Sequence, residues 1–354
     1  MIRVLTVGNH PSVKGGITSV IDQIRAHDWA ADGVEMRFIP TYVEKNNLLK
    51  LGYFGFAYLR ILARMLFHRP DAVHIHMSYK GSFTRKYAIH RLCRRFGVRD
   101  ILHLHGSEFE SWYDSCPPDK QAQIRRLLRE CDRFIVLGDK WDAAVRRIEP
   151  QTRTLVVSNT VAIPAQTAAW DDAECRILFL GVLIRRKGVE DLLNAVRQLV
   201  DSGRWGHKKL ILAGTGAEEE RLKEQCAALG LNDSVTFAGW TAGEKKTALM
   251  RSCQVLVLPS YHEGLPMAIL EAMSYGMPVV ATDVGDVSSA VRTGENGWLI
   301  APGDIERLAD AIAAADDPAV WSAYAQASRR IAENEFSDSR YFARLAGVYR
   351  RTEE

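Results

Sequence analysis

The sequence predicts an α/β protein of two doubly wound domains, each a parallel sheet covered by helices, with a ligand cleft between them. Three observations carry this expectation. Short apolar runs of β type alternate with amphipathic stretches of helix length in both halves, the alternation breaks once at 162–173, and glycine turns follow the opening strand of each half. At 354 residues, 47% of them hydrophobic, the chain can supply two cores. The break sets a first domain at 1–165 and a second at 166–336, followed by a terminal helical stretch at 337–354.

In the first half, strands are expected at Ile2–Val7, Met36–Ile39, Ala72–Ile75, Ile101–Leu104, Phe134–Leu137 and Thr154–Val157. The loop after the first strand holds Lys14, Gly15 and Gly16 where a helix opens, and paired glycines let backbone approach a phosphate closely. Its spacing is not G-x-G-x-x-G, which weighs against a dinucleotide, and an ordinary glycine turn is the plainer alternative. Leu48 to Phe67 is the most apolar long segment, but Lys50, Arg60 and Arg64 interrupt it and argue against a membrane span. It reads equally as a helix packed on the sheet or as one lying on an anionic leaflet.

Further along, Ser82, Arg85 and Lys86 fall at a helix start, where they suit a phosphate or are simply solvated. His103 and His105 end the fourth strand, and Gly106 follows, which puts His105 at the carboxyl edge where ligands collect. An imidazole there is expected to titrate near neutral pH and to hydrogen-bond a ligand hydroxyl. His74 and His103 read as structural; His76 and His262 stay undecided.

The second half places strands at Ile177–Leu180, Leu210–Ala213, Val235–Phe237, Val255–Leu258, Val279–Ala281 and Trp298–Ile300. Arg185, Arg186 and Lys187 follow its first strand, and three cations there would oppose the dipole of the next helix unless an anion neutralised them. Gly214 and Gly216 end the next strand, and Trp240 follows the third. Gly-Thr-Gly alone is a weak signal, and Glu218 to Glu220 crowd the helix start in a way an NAD site would not favour.

Glu263, Gly264, Leu265 and Pro266, with a second carboxylate at Glu271, carry the most chemistry. The run Val255 to Leu258 is a buried strand, the next residues its exit loop, and Pro266 suits the first turn of a helix. Amides of Leu265, Met267 and Ala268 would then face a cleft where the helix dipole favours a diphosphate. Glu271 lies roughly 7.5 Å deeper along that helix than Pro266, so the two acids can hold hydroxyls on opposite sides of the diphosphate.

Charge divides unevenly. Residues 1 to 165 hold 25 Lys and Arg against 16 Asp and Glu, net +9, and the remainder holds 21 against 27, net −6. The positive half faces something anionic, and without a recognisable nucleic-acid module, anionic lipid headgroups or a lipid-linked pyrophosphate fit better than nucleic acid. Six cysteines lie far apart with no C-x-x-C pair, as reduced, mostly buried thiols in a cytoplasmic protein would. Ile2 to Val7 reads directly as a strand, so no signal peptide is expected.

The run from Glu263 to Glu271 resembles the Glu-seven-residues-Glu signature of the retaining glycosyltransferases of family 4, which have the GT-B fold of two Rossmann-like domains and an interdomain cleft. Ala272 to Asp283 and Asn296 to Ile300 are similar to that family too. The resemblance implies a retaining, metal-independent hexosyl- or N-acetylhexosaminyl-transferase with no cofactor, in which Glu263 binds the donor sugar, His105 orients it and Lys187 stabilises the departing diphosphate. It implies that Glu271 takes the ribose and that Gly214, Gly216 and Trp240 frame the base. Gly15 and Gly16 would reach the distal phosphate. Lys14, Ser82, Arg85 and Lys86 would lie on the acceptor side, and the terminal helix would return to the first domain.

Two departures stand out: Val182 where the family has Arg, leaving Arg185 or Arg186 to replace that cation, and Asp286 where a second glycine is common. The family resemblance implies a UDP- or GDP-sugar donor; His74 to Lys86 resembles a variant among bacterial exopolysaccharide and capsule transferases, which implies a lipid-linked glycan acceptor at the inner face of the membrane. A GT-B epimerase and a non-catalytic nucleotide-sugar-binding protein remain the alternative readings.

Overall fold

The computed structural model describes residues 1–352. The chain divides into two compact units, Met1–Asn159 with the segment from Ser339 onward, and Thr160–Asp338. Each contains one parallel sheet of six strands.

In the first unit the strands are β1 (Ile2–Asn9), β2 (Val34–Tyr42), β3 (Ala72–Met77), β4 (Arg99–Leu104), β5 (Arg133–Val136) and β6 (Thr154–Val156), in the order β2-β1-β3-β4-β5-β6. Helices cover the sheet, so its inner strands are buried on both faces and read as continuous apolar runs. Every residue of β3 is buried, its two histidines included. β2 extends well beyond the apolar run Met36–Ile39, through Pro40 to Tyr42. It is an edge strand paired only with β1, so the missing N–H of Pro40 costs no ladder bond inside the sheet.

The helix Asn47–Phe67 starts at Asn46, whose side chain accepts the Leu49 amide at 3.0 Å. Ala57, Ile61 and Met65 are its fully buried residues, and much of its remaining apolar surface faces solvent. Among the described residues no helix is long and apolar enough to cross a membrane.

The second unit holds β7 (Arg176–Leu180), β8 (Lys209–Ala213), β9 (Val235–Gly239), β10 (Val255–Leu258), β11 (Val279–Thr282) and β12 (Gly297–Ile300), in the order β12-β11-β10-β7-β8-β9. The order reverses at the β7–β10 pair: β8 and β9 lie to one side, β11 and β12 to the other. Loops leaving the carboxyl ends of β7 and β10 therefore diverge and open a crevice, the usual ligand position in such sheets.

Where the chain enters and leaves the second unit, its two segments lie side by side. Val161 N–H and Thr160 Oγ1 both donate to the Phe336 carbonyl at 2.9 Å. The helix Asp338–Arg350 follows and packs within the first unit from Ser339 on. Tyr349 is 1% exposed, with its hydroxyl 2.7 Å from His74 Nδ1. Arg99 caps the helix end, donating to the carbonyls of Tyr349 at 2.8 Å and Val348 at 3.0 Å. All six cysteines are free thiols, five of them buried.

Tyr349→Phe keeps the ring and deletes the hydroxyl facing a fully buried imidazole nitrogen, so it should cost about 1–2 kcal/mol. Urea unfolding monitored on the whole chain measures this, and an unchanged midpoint would show that the Tyr349–His74 contact does not hold the terminal helix.

Candidate active site

The crevice of the second unit is built by two stitched loops. After β7 the chain makes a short 3₁₀ turn, Arg185–Lys187, and then Gly188 at φ 67°. A Cβ on Gly188 would lie 2.0 Å from the Pro259 carbonyl oxygen, so only glycine lets this turn press against the exit of β10. The Tyr261 amide donates to the Arg186 carbonyl at 2.8 Å, and Arg186 Nη1 donates to the His262 carbonyl at 2.8 Å. Lys187 Nζ forms an ion pair with Glu263 Oε1, its side chain 13% exposed and that of Glu263 8%. Such a pair is costly to break from one side, because the remaining charge is left poorly solvated.

The three cations after β7 thus have distinct surroundings. Lys187 is neutralised by Glu263, Arg186 is bound to backbone, and Arg185 is exposed. The anion that the sequence reading required for this cluster is supplied for Lys187 by the protein itself. Arg186, tied to the His262 carbonyl, staples the loop.

A third segment clamps Glu263 from behind. Gly285 sits at φ 55°, and a Cβ there would lie 2.2 Å from the Glu263 carbonyl oxygen. The Asp286 amide donates to the Gly264 carbonyl at 3.0 Å. Asp286 is buried and precedes the short helix Val287–Ala290, so the residue that departs from the family's second glycine helps set the Glu263 loop.

Pro266 needs a correction. It is the residue before the helix Met267–Ser274, in an extended conformation at φ −67° and ψ 129°, rather than in its first turn. Its carbonyl accepts the Ile269 amide at 3.1 Å, and the first helical amides are those of Met267 and Ala268. First-turn amides have no acceptor within their own helix and carry the positive end of its dipole. Leu265 and Met267 bury their side chains, leaving this stretch to offer backbone.

Glu271, one turn further in, pairs with Lys246 at 2.8 Å. Lys246 lies on the helix Gly243–Ser252 and was missed in the sequence, where nothing in its spacing ties it to Glu271. Gly214 and Gly216 answer a packing need: Cβ atoms there would lie 1.8 Å from the Gly181 carbonyl oxygen and 2.1 Å from that of Leu183. The Leu183 amide donates to Thr215 at 3.0 Å, so the loops after β7 and β8 run in contact. Trp240, directly after β9, is 38% exposed.

In the first unit, Gly15 at φ 133° precedes the helix Gly16–Ala26, and among the described residues none beyond its own chain neighbours comes within 4 Å of where its Cβ would stand. Lys14 beside it is exposed. His74 and His76 on β3, and His103 and His105 at the end of β4, form a stack on one face of the sheet. His74 Nε2 lies 3.3 Å from His103 Nδ1, and His76 Nδ1 lies 2.9 Å from His105 Nε2.

Burial pushes His74 and His105 down to about 3, and burial with the neighbouring imidazoles holds His76 and His103 well below their usual value. The expectation that His105 titrates near neutral pH is therefore corrected: it is a neutral imidazole. Nitrogens of His74, His76 and His103 lie within 4.8 Å of one another. The three are buried, neutral imidazoles with no carboxylate among them.

The helix Gly81–Phe96 corrects a second expectation, since Lys86 is not a solvated residue at its start. Lys86 is 2% exposed, its ammonium donates to Thr41 Oγ1, and that hydroxyl donates to the Gly8 carbonyl at 3.0 Å. Arg85 lies over the Tyr42 ring at 4.7 Å, and Ser82 Oγ accepts the Ser78 amide at 3.1 Å. Burial first, and the Arg85 charge second, bring the Lys86 ammonium down to about 7.

Because an unfolded lysine titrates near 10.5, the unfolded chain binds a proton that the folded chain lacks between pH 7 and that value. The burial penalty is complete below pH 7 and fades as pH rises through this window, so stability gained from Lys86 grows with pH. Lys86→Met should flatten the rise between pH 7 and pH 9.5 by on the order of 1–3 kcal/mol, read as urea midpoints against the parent protein. Equal slopes for the two proteins would contradict the depressed ammonium.

Two family descriptions match the chain: "Glycosyl transferase 4-like domain" over residues 2–160 and "Glycosyl transferases group 1" over 165–330. An uncharacterized glycosyltransferase of Methanocaldococcus jannaschii is 30% identical over 59% of this chain and 53% of its own length, so the similarity spans about half of that relative. The alpha-D-kanosaminyltransferase of Streptomyces kanamyceticus is 27% identical over 81% of this chain and 79% of its own. Among solved structures, sucrose-phosphate synthase from Thermosynechococcus elongatus superposes with a TM-score of 0.83 at 20% identity, covering 99% of each chain. Anabaena HepE in complex with UDP-glucose gives 0.77 at 18% identity, covering 99% of this chain and 100% of the other. With both halves matched by glycosyltransferase families and two parallel-sheet units of the GT-B fold, the chain belongs to the GT4-type glycosyltransferases.

Proposed function

We propose that the protein transfers a sugar from a nucleotide-sugar, a UDP-sugar in preference to a GDP-sugar, to a hydroxyl of a lipid-linked glycan with retention of anomeric configuration. The observation that carries this reading is the Lys187–Glu263 pair beside the start of the helix Met267–Ser274, with Glu271 one turn further in. A diphosphate at that helix start meets the amides of Met267 and Ala268 and the Lys187 ammonium. As the bond to the sugar breaks, negative charge builds on the leaving diphosphate where these groups are already oriented.

Glu263 then exchanges part of its hold on Lys187 for the donor sugar's hydroxyls and for the positive charge developing on the ring. Glu271, with Lys246 behind it, takes the ribose, and Trp240 with the Gly214 and Gly216 loop borders the base. His105, neutral, serves as a hydrogen-bonding group that orients the sugar without exchanging a proton near pH 7. The acceptor hydroxyl loses its proton to the leaving-group oxygen on the same face, so no side-chain nucleophile is needed. Lys187 and the helix amides supply the positive charge, with Arg185 exposed at the same turn, and the reading is metal-independent. Lys14, Gly15, Gly16, Ser82, Arg85 and Lys86 are assigned to the distal phosphate and the acceptor. Solved complexes of Anabaena HepE with UDP and with UDP-glucose support the choice of uridine. The setting is the step of bacterial polysaccharide assembly that takes place at the inner face of the cell membrane.

The two carboxylates separate by role. Glu271→Gln should weaken free UDP by about 1–3 kcal/mol, the scale of a charge-assisted bond to a ribose hydroxyl. Glu263→Gln should leave UDP affinity nearly unchanged and cut turnover roughly a hundredfold or more. Calorimetry with UDP and initial rates over a panel of labelled UDP-sugars, each with and without EDTA, measure this. Equal weakening of UDP by both variants, or near-parental turnover by Glu263→Gln, would overturn the assignment, and activity lost in EDTA and restored by Mg²⁺ would overturn metal independence.

A further inference from the structure

The helix Asn47–Phe67 has an exposed face that the proposed transfer reaction does not use. Ala57, Ile61 and Met65 are its buried residues, and Phe54, Tyr58 and Leu62 pack partly on the core beside them. On the side away from these, Leu48 is 80% exposed, Phe56 63%, Leu59 62% and Phe67 76%. A surface helix ordinarily turns charged and polar residues outward, and this one is apolar nearly all round. Apart from Met1, Trp240 and Tyr261, every large hydrophobic residue that is well exposed among the described residues lies on this one helix.

The charges that accompany it have one sign. From Asn46 to Pro70 there is no acid, while Lys50, Arg60, Arg64 and Arg69 are present. The asymmetry continues into the helix Gly81–Phe96 that packs beside it. From Lys45 to Arg99 the chain carries twelve Lys and Arg against a single acid, Asp71. Arg91, Arg94 and Arg95 on that second helix are exposed, and Arg69 links the two helices' ends by donating to the Gly97 carbonyl at 2.8 Å. An apolar ridge flanked by cations, with acids excluded from the same stretch, matches a surface that is itself apolar beneath a layer of negative charge.

We infer that the outer face of the helix Asn47–Phe67 is a docking surface for an anionic lipid leaflet, with Leu48, Phe56, Leu59 and Phe67 entering the headgroup–acyl boundary. Lys50, Arg60 and Arg64 remain at the level of the headgroup phosphates, their stems lying along the apolar face. The helix is already folded and held by its inner face, so binding does not have to order it. This deepens the reading of a lipid-linked acceptor, since it names the element that brings the enzyme to the surface where such an acceptor lies. The interaction itself requires no sugar.

Two variants keep the test clear of folding, because their side chains lie outside the core: Phe56→Gln with Leu59→Gln, and Arg60→Glu with Arg64→Glu. The parent protein should co-sediment with vesicles of phosphatidylcholine containing about one-third phosphatidylglycerol, bind pure phosphatidylcholine far less, and be released as salt is raised from about 0.05 M to about 0.5 M. Each double variant should lose roughly tenfold or more of this binding while its melting temperature and UDP affinity stay at the parental values. No binding by the parent at low salt, or parental binding by both variants, would overturn the inference. So would sedimentation velocity showing a parent dimer that Phe56→Gln with Leu59→Gln converts to monomer, because the face would then join two copies of the chain. Vesicle binding without any sugar transfer would leave the docking surface standing and count against the transferase reading alone.

Discussion

The ion pair between Lys187 and Glu263 is the constraint on which the candidate site depends, since it joins the two loops that diverge at the β7–β10 reversal. Neither residue could hold its place without neighbours chosen for close approach. Gly188 lets the Lys187 turn touch the Pro259 carbonyl, and Gly285 lets a third segment touch the Glu263 carbonyl. An added Cβ at either glycine meets backbone, which cannot swing aside as a side chain can. The sheet supplies the crevice, the glycines bring three loops into it, and the buried pair fixes a carboxylate and an ammonium at its mouth. A cation already matched to a carboxylate is poised to trade that partner for a phosphate without being left uncompensated.

The first unit solves a different problem, that of keeping polar groups inside a sheet covered on both faces. Four imidazoles are kept neutral by burial, and Tyr349 from the terminal helix partners one of them, His74. Burial, with the Arg85 charge second, holds the Lys86 ammonium far below the ordinary lysine range, and its partner is a hydroxyl rather than a carboxylate. A buried cation without an acid is a weak point for stability and a strong point for receiving an anion. The same end of the unit carries Arg85 over Tyr42, so positive charge gathers there with few acids to offset it.

Much of this was legible in the chain. All twelve strands were expected from apolar runs, because a parallel sheet buried on both faces leaves little room for polar residues. Their ends were not: β2 runs on through Pro40 because an edge strand tolerates proline, which composition alone does not reveal. The Glu263 and Glu271 constellation was visible because it combines a strand, a turn and a helix start within seventeen residues of chain, Val255 to Glu271. Its partners could not be read in the same way. Lys246 lies on a separate helix, and the Asp286 amide reaches Gly264 from beyond the next strand. The neutral state of His105 and the burial of Lys86 were invisible for a related reason, since a pKa reports solvent exclusion by residues distant in sequence. Gly214 and Gly216 drew notice as a nucleotide signal and owe their place first to the carbonyls of Gly181 and Leu183.

In the proposed reaction the Lys187–Glu263 pair and the start of the helix Met267–Ser274 receive the diphosphate of a nucleotide-sugar. A crystal structure of the protein with UDP bound tests it most directly. The two phosphates should lie at the amides of Met267 and Ala268, the distal one within hydrogen-bond reach of Lys187 Nζ, and the ribose hydroxyls on Glu271. UDP bound with its phosphates away from that helix start, or with Lys187 and Glu263 paired as before and neither Lys187 nor Glu271 touching the nucleotide, would contradict it.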